Sequence, residues 1–489
     1  MDFVLVLTSI IVILFVASAW KNQNQRNYKN FPPGPPPLPI IGNAHILDID
    51  KPQNTLMQLT EEYGTVFSMQ LGRTKTVILC GYDTIKDALV NYAEYFGARP
   101  HAPMFSAATN DYGLLFSNGE NWKVMRKFTI STLRDYGMGK KTIEDKIIEE
   151  SECLIKKLRS YEGKPFDDLT IINSVTTNII VSFLLNKRFD YEDPTVLKLI
   201  NIINENIRIL NTPWIMLYNS YPFLAKLLPG AHNKFLENVN EFRSFVRWAF
   251  TKQKNELDVN DQRNLIDAFL VKQQEGKKES TEYFHNGNLT SLLIDLLVTG
   301  TETVSATLRW AILLMIKYPE IQQKVQNEIE QVIGSARPQM THKKQMPYTD
   351  AVIHEIQRFA DVIPAVLHSA TQDFTFRGYF IPKGTHVITL VHSILRDKKH
   401  FEEPEKFDPG RFLDSDGNFK KNEAYIPFLL GKRSCVGENL ATMEVFLFFT
   451  SLLQNFTLHP LPGAELDLSP GLGFTSIPKP HGLFAVPRI

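Results

Sequence analysis

The decisive stretch is Phe428-Leu429-Leu430-Gly431-Lys432-Arg433-Ser434-Cys435-Val436-Gly437. Two glycines bracket one cysteine, an arginine stands two residues before it, and a helix-like run, Glu438 to Gln454, follows. A cysteine at a helix start feels the positive end of the backbone dipole and the unpaired N–H groups there, and both favour thiolate over thiol. A thiolate inside an apolar protein needs a countercharge, and iron is a natural one. Gly431 lets the chain turn tightly, and Gly437 lets a flat ring approach the backbone. Arg433 can hold an acid group at the edge of such a ring. A cysteine without context is most often an ordinary core residue. Here the ten-residue pattern as a whole outweighs that reading.

Working outward, Asn288 to Tyr318 reads as one long helix, with Asn288 as its cap and Pro319 as its stop. It contains Val298-Thr299-Gly300-Thr301-Glu302-Thr303-Val304. Asp295, Glu302 and Arg309 recur every seven residues, and Thr299, Thr303 and Ala306 share their stripe. Acids and threonines inside an apolar helix need an explanation. One is a solvated face whose threonine hydroxyls bond back to carbonyls four residues earlier; the other is a functional groove. Glu355 and Arg358 stand at i and i+3 on a helix made apolar by Val352, Ile356 and Phe359. Such a pair is ordinarily a surface contact worth little. Phe407-Asp408-Pro409-Gly410-Arg411-Phe412 adds a further arginine. Trp122 and Arg126 lie at i and i+4 on an earlier helix. Lys123, Lys127, Arg134, Lys140 and Lys141, with Lys432 in the cysteine loop, form a basic cluster, a pattern that is usually a solvated face.

The chain has 489 residues, of which 43% are hydrophobic, enough for a large core. Lys plus Arg and Asp plus Glu both total 53, so charge points to no nucleic acid and no acidic partner for the chain as a whole. Three cysteines, Cys80, Cys153 and Cys435, make no disulfide framework and fit a reducing, cytosol-facing location. Phe3 to Trp20 carries no charge, and as a helix it would span roughly 27 Å, close to a bilayer core. Lys21, Arg26 and Lys29 follow it, which places the rest of the chain in the cytoplasm. The basic residues follow the apolar run instead of preceding it, so an uncleaved anchor is favoured over a signal peptide. Phe31 to Pro39 is proline-rich and reads as a stiff spacer. Thr65 to Leu71 and Lys75 to Cys80 read as two strands. Helical periodicity then dominates to about residue 360, and short strands are expected in 371–392 and 472–487. Ile209 to Leu228 is apolar but broken by prolines; it is either a bilayer-surface contact or a buried loop.

These motifs together resemble the cytochrome P-450 family over nearly the whole chain. Leu115-Phe116-Ser117-Asn118-Gly119, Gly137-Met138-Gly139-Lys140 and Ile381-Pro382-Lys383-Gly384-Thr385 narrow the likeness to animal microsomal, family-2-like members. The resemblance implies a mainly α fold with small β-sheets (α+β). It implies an N-terminal membrane anchor (1–30) and a single haem-thiolate catalytic domain (31–489). That domain holds a hinge at 31–39, an oxygen-activation helix at about 288–318 and a haem-ligand loop at 428–437. Haem b would be held by Cys435 as axial ligand, by Phe428 and Gly437 of the loop, and by Arg433, Trp122, Arg126, Arg99 and His368 at its propionates. A Cys thiolate on haem iron favours O–O cleavage. Thr303 would bond the distal oxygen and Glu302 would relay protons, with Gly300 leaving room for dioxygen. Glu355, Arg358 and Arg411 would be a buried structural cluster. Phe105, Leu114, Phe116, Leu297, Thr299, Val366 and Phe474 would line an apolar pocket, although each could equally be core.

The implied activity is an NADPH-driven monooxygenase acting on an apolar lipid, steroid or foreign compound. Its electrons would come from an NADPH-dependent flavoprotein reductase, with cytochrome b5 as a further candidate partner, docking on the basic cluster at the endoplasmic reticulum membrane. A haem-thiolate isomerase or peroxygenase, and a non-catalytic haem sensor or lipid carrier, are the rivals. This sequence departs from the pattern at Thr299, where alanine is usual, at Val304, where many members have a second threonine, and before His368, which lacks the usual proline.

Overall fold

The computed structural model describes residues 30–276, 282–471 and 473–488. The anchor expected over residues 1–30 lies, but for Asn30, outside them. Helices dominate. The principal ones, in chain order, are α1 Pro52–Tyr63, α2 Pro103–Thr109, α3 Gly119–Asp135, α4 Lys141–Arg159, α5 Asp168–Leu185, α6 Pro194–Leu210, α7 Pro213–Ser220 and α8 Pro222–Ala225. There follow α9 Ala231–Asn255, α10 Leu265–Gln274, α11 Asn286–Lys317, α12 Pro319–Val332, α13 Pro347–Ala360 and α14 Glu438–Asn455. Both α5 and α11 are long and apolar enough to cross a membrane, yet both are mostly buried inside the protein. They pack side by side at its centre, where an all-round apolar helix belongs. Gly300 sits at this crossing, and a Cβ there would run into the Ile180 side chain. Its smallness therefore serves helix packing.

The cap of α11 also differs from expectation. His285 is the N-cap and accepts the Asn288 N–H at 3.2 Å. Asn288 is inside the helix, with its side chain bonded to Gly113 N and Asn121 Oδ1. A tertiary partner has outbid the local capping preference of asparagine.

Three small sheets frame the helices. The largest has the order β1 (Val66–Leu71), β2 (Thr74–Leu79), β7 (His386–Thr389), β4 (Val366–Ser369). β2 runs parallel to β7, and β4 runs antiparallel to β7 with His368 opposite Val387. β3 (Phe166–Asp167), β9 (Gly482–Pro487) and β8 (Phe456–Pro460) make the second, and β5 (Phe374–Phe376) with β6 (Tyr379–Ile381) the third. The proline-rich stretch is extended but not a free spacer. Ser68 N donates to Pro33 O at 2.7 Å and Ser68 Oγ to Pro32 O at 2.8 Å, so it lies along β1.

The 209–228 region divides. Ile215 and Tyr218 of α7 are buried, whereas Phe223 is 81% and Leu227 69% exposed. Tyr221 Oη donates to Ile40 O at 2.9 Å, which joins this apolar surface to exposed Leu38 and Ile41.

Candidate functional site

The cysteine loop is a tight structure before it is a chemical one. Gly431 has φ +77°, and a Cβ there would strike the Leu89 carbonyl, so glycine is required twice over. Cys435 N donates to Phe428 O at 3.0 Å and closes the loop. The Cys435 thiol is accessible, yet crowded by protein on its other sides, as befits a side chain on the wall of a cleft. Burial pushes this thiol up; the N–H groups of Gly437 and Glu438 and the charge of Arg126 oppose the shift without cancelling it. That corrects the expectation from sequence. The helix start acts in the predicted sense, but α14 begins three residues later and desolvation outweighs it.

Around the loop, four segments bring cations together. Arg433 is buried; its Nε donates to Gly97 O at 2.9 Å and its Nη2 to Ser117 O at 2.9 Å and Asn118 Oδ1 at 3.1 Å. Its guanidinium lies 3.9 Å from the centroid of the Trp122 ring. Arg126 Nη2 donates to Ser434 O at 2.8 Å. Arg99 Nε donates to Leu115 O at 3.2 Å and Nη1 bonds Leu367 O. His368, buried on β4, meets Phe96 O through Nδ1 at 3.0 Å. The strand is pinned there because Ser369 N donates to Ala98 O at 2.8 Å.

None of these four side chains has a carboxylate partner among the described residues. Arg433 Nη1 and His368 Nε2 are buried without any hydrogen bond. Burial, with Arg99 and Arg126 repelling, pulls Arg433 down to about 8; burial and Arg126 pull Arg99 down to about 10. Burial first, then Arg99, holds His368 well below its ordinary value. A buried charge without a partner is costly, and three converging on one place lack an anion. The two propionates of a haem b would supply that charge, and the accessible Cys435 thiol would supply a metal ligand. The residues present fit the group.

On α11 the heptad Asp295, Glu302, Arg309 is buried, and each side chain binds a different segment. Asp295 Oδ2 accepts from Leu114 N at 2.7 Å and Leu115 N at 2.9 Å. Burial pushes it up to about 7 against those two donors. Gly113, at φ +84°, is needed beside it, since a Cβ would collide with Asp295 Oδ2. Glu302 Oε1 accepts from Thr475 Oγ1 at 2.8 Å. Arg309 Nε donates to Asp168 Oδ1 at 3.1 Å. The solvated-face alternative is thus excluded for the acids. The threonines do bond back: Thr299 Oγ1 to Asp295 O at 2.7 Å and Thr303 Oγ1 to Thr299 O at 2.8 Å.

Of the expected pocket residues, Phe105 and Phe116 stack face to face with centroids 3.8 Å apart. Leu114 and Phe474 pack at the edge of the main apolar cluster, Val366 shares a strand face with His368, and Leu297 is buried inside the cluster as a core side chain. Glu355, Arg358 and Arg411 are joined as expected, with Arg358 bidentate on Glu355 at 2.7 and 2.8 Å and Arg411 at 3.0 Å. The basic cluster is weaker than its composition implied, since Lys123 pairs with Glu120 at 2.9 Å and Lys432 pairs with Glu94. Sequence reading missed Asn118 and Thr475. The first stood only inside the Leu115–Gly119 motif, and the second was only the neighbour of Phe474.

An accessible cysteine in a tight loop, an anion-seeking arginine cluster and a mostly α fold define a haem-thiolate protein. The sequence profile of the family described as Cytochrome P450 matches residues 32–484. The chain is 44% identical to Cytochrome P450 2C7 of Rattus norvegicus over 492 residues, covering 100% of both. It is 46% identical to Cytochrome P450 2C4 of Oryctolagus cuniculus over 478 residues, covering 97% of each, and 44% identical to Cytochrome P450 2C29 of Mus musculus over 491 residues, covering 100% of both. This chain belongs to the cytochrome P450 family. It is a haem b-dependent monooxygenase of apolar small molecules, and its electrons come from NADPH through a redox partner.

Proposed function

We propose that Cys435 is the axial thiolate ligand, that Arg99, Arg126, Arg433, Trp122 and His368 seat the propionates, and that Phe428 and Gly437 frame the loop. The observation that carries this is the convergence of three partly or fully buried arginines and one histidine with no acid partner among the described residues. Haem, once bound through a thiolate, supplies dioxygen binding and O–O cleavage. This chain's residues then do three things. Thr303 offers its hydroxyl to the distal side, for which it must leave the Thr299 carbonyl. Glu302 holds and passes a proton; burial raises its carboxyl, keeping it nearer the range where it can do both. Phe105, Leu114, Phe116, Thr299, Val366 and Phe474 exclude water and orient an apolar substrate.

Residues 1–30 anchor the single domain 31–489 to the endoplasmic reticulum membrane, with the domain in the cytoplasm. The exposed apolar surface of Phe223, Leu224, Leu227 and Leu228, tied to Ile40, supports a second bilayer contact. The redox partner is a flavoprotein reductase, with cytochrome b5 as a second donor. Exposed Lys127 and Lys140, which have no acid partner among the described residues, support docking of an acidic protein by electrostatic steering.

The test is the carbon monoxide spectrum of the reduced protein. The strongly red-shifted Soret band of thiolate-ligated haem is expected, and Cys435→Ala should abolish it. Retention of the band in Cys435→Ala would overturn the assignment.

A further inference from the structure

The Glu302 carboxyl has one hydrogen-bond partner among the described residues, the Thr475 hydroxyl, at 2.8 Å from Oε1. Both side chains are buried. The other oxygen, Oε2, accepts no hydrogen bond from the described residues. The carboxyl is therefore held at one oxygen and unheld at the other. Its holder is not free to wander. Asn211 Nδ2 donates to Gly473 O at 2.7 Å, and Phe474 N donates to Ile207 O at 3.2 Å, which ties the loop to α6. Ser476 N donates to Val362 O at 2.9 Å, and Trp310 Nε1 donates to Ser476 O at 2.9 Å, which ties it to α11 and the end of α13. Thr475 thus presents its hydroxyl from a segment anchored on both sides.

We propose that Thr475 is a positioning residue for proton delivery: its hydroxyl fixes Glu302 through Oε1 and leaves Oε2, unpartnered among the described residues, to hand on the proton. This rests on the reading of Glu302 as the proton-relay acid. The physical argument is directional. Glu302 and Thr303 are adjacent on α11, so their side chains leave the helix about 100° apart. A free glutamate with three rotatable bonds would sample many positions; one donor on a rigid loop selects one. The other charges that bear on Glu302 are Arg309 of α11, itself occupied by Asp168, and the more exposed Arg208 of α6. Neither makes a hydrogen bond to it. A hydroxyl donor also favours the ionised carboxyl, so its loss raises the pH at which the acid ionises.

The experiment uses the full haem-loaded chain with Thr475→Val, which keeps shape and loses the hydroxyl, Thr475→Ser, which keeps the hydroxyl, and Glu302→Gln. Infrared difference spectra across pH identify the Glu302 carboxyl band as the one absent in Glu302→Gln. Thr475→Val should move its ionisation midpoint upward by about one pH unit, a tenfold change for one hydrogen bond to a charge. In turnover, Thr475→Val should release more of its electrons as hydrogen peroxide at an unchanged KM, and Thr475→Ser should restore both readouts. If Glu302→Gln uncouples turnover while Thr475→Val shifts neither the band nor the peroxide yield, the positioning role is wrong and the relay stands. If Glu302→Gln leaves coupling unchanged, the relay reading falls and this inference falls with it.

Discussion

Two buried arginine clusters in this molecule have opposite chemistry. In the first, Arg358 and Arg411 surround Glu355, and their remaining nitrogens donate to the carbonyls of Leu395, Pro404, Lys406 and Glu402. Asp408 N adds a further bond to Glu355 Oε1 at 2.9 Å. Nothing is left over. In the second, Arg99, Arg126 and Arg433 converge beside His368 with no acid, and Arg433 Nη1 has no partner. A complete cluster holds a fold together; an incomplete one waits for a ligand. Arg358 and Arg433 are both buried, and the balance of charge around them separates structure from site.

The largest effect should come from breaking the complete cluster. Glu355→Gln strands two buried guanidinium groups and should cost about 3–5 kcal/mol in denaturant unfolding, equally with and without haem. A loss below about 1 kcal/mol, or one confined to the haem-loaded protein, would erase the distinction.

Asp295 stands between the two cases, a buried charge with backbone donors but no counter-ion. Its carboxyl is raised from the usual range to about 7 by burial. Below about pH 4 the folded and unfolded chains both hold the proton, and above about pH 7 neither does. Between these limits only the folded chain holds it, so its contribution to stability falls as pH rises, by at most about 4 kcal/mol. Asp295→Asn should flatten that part of the stability profile. A variant profile parallel to the native one would mean that Asp295 ionises normally.

The incomplete cluster should respond in the reverse way to Glu355. Arg433→Leu removes a repelled cation but also the donor to the Gly97 and Ser117 carbonyls, so the haem-free protein should lose only about 1–3 kcal/mol. Haem should dissociate roughly 10–100-fold faster, as for loss of a charged hydrogen bond of about 1.5–3 kcal/mol. Destabilisation of the haem-free protein on the scale of Glu355→Gln would place Arg433 among the structural arginines.

The smallest effect concerns a fully satisfied polar group. The Thr299 hydroxyl is already bonded to Asp295 O, so it is the methyl branch that adds bulk to the groove. Thr299→Ala should change selectivity between substrates differing by about a methylene by about 1–3 kcal/mol in relative kcat/KM. Thr299→Val should match the native protein. If valine behaves like alanine, the hydroxyl and not the bulk is the active feature.

Much of this was legible in residue order. The loop 428–437, α6 at Pro194–Leu210, the strands flanking Gly72-Arg73 and the pairing of Glu355 with Arg358 depend on local spacing, turn chemistry and periodicity, which the chain carries with it. The helix-dipole argument for a thiolate at Cys435 was also correct in sign.

Other features had no local signal, because they depend on what lies opposite. Desolvation sets the protonation of Cys435 and Asp295, and it exists only once distant segments close around them. Gly300 reads as a flexible point until Ile180 of α5 is placed against it. Asn288 reads as a cap until Gly113 and Asn121 take its side chain. Thr475 has no visible relation to Glu302, since 173 residues separate them. Residue order settles which chemistry is available and which elements form. Packing decides which charges find partners, because the energy of a buried charge depends on its neighbours in space and not on its neighbours in the chain.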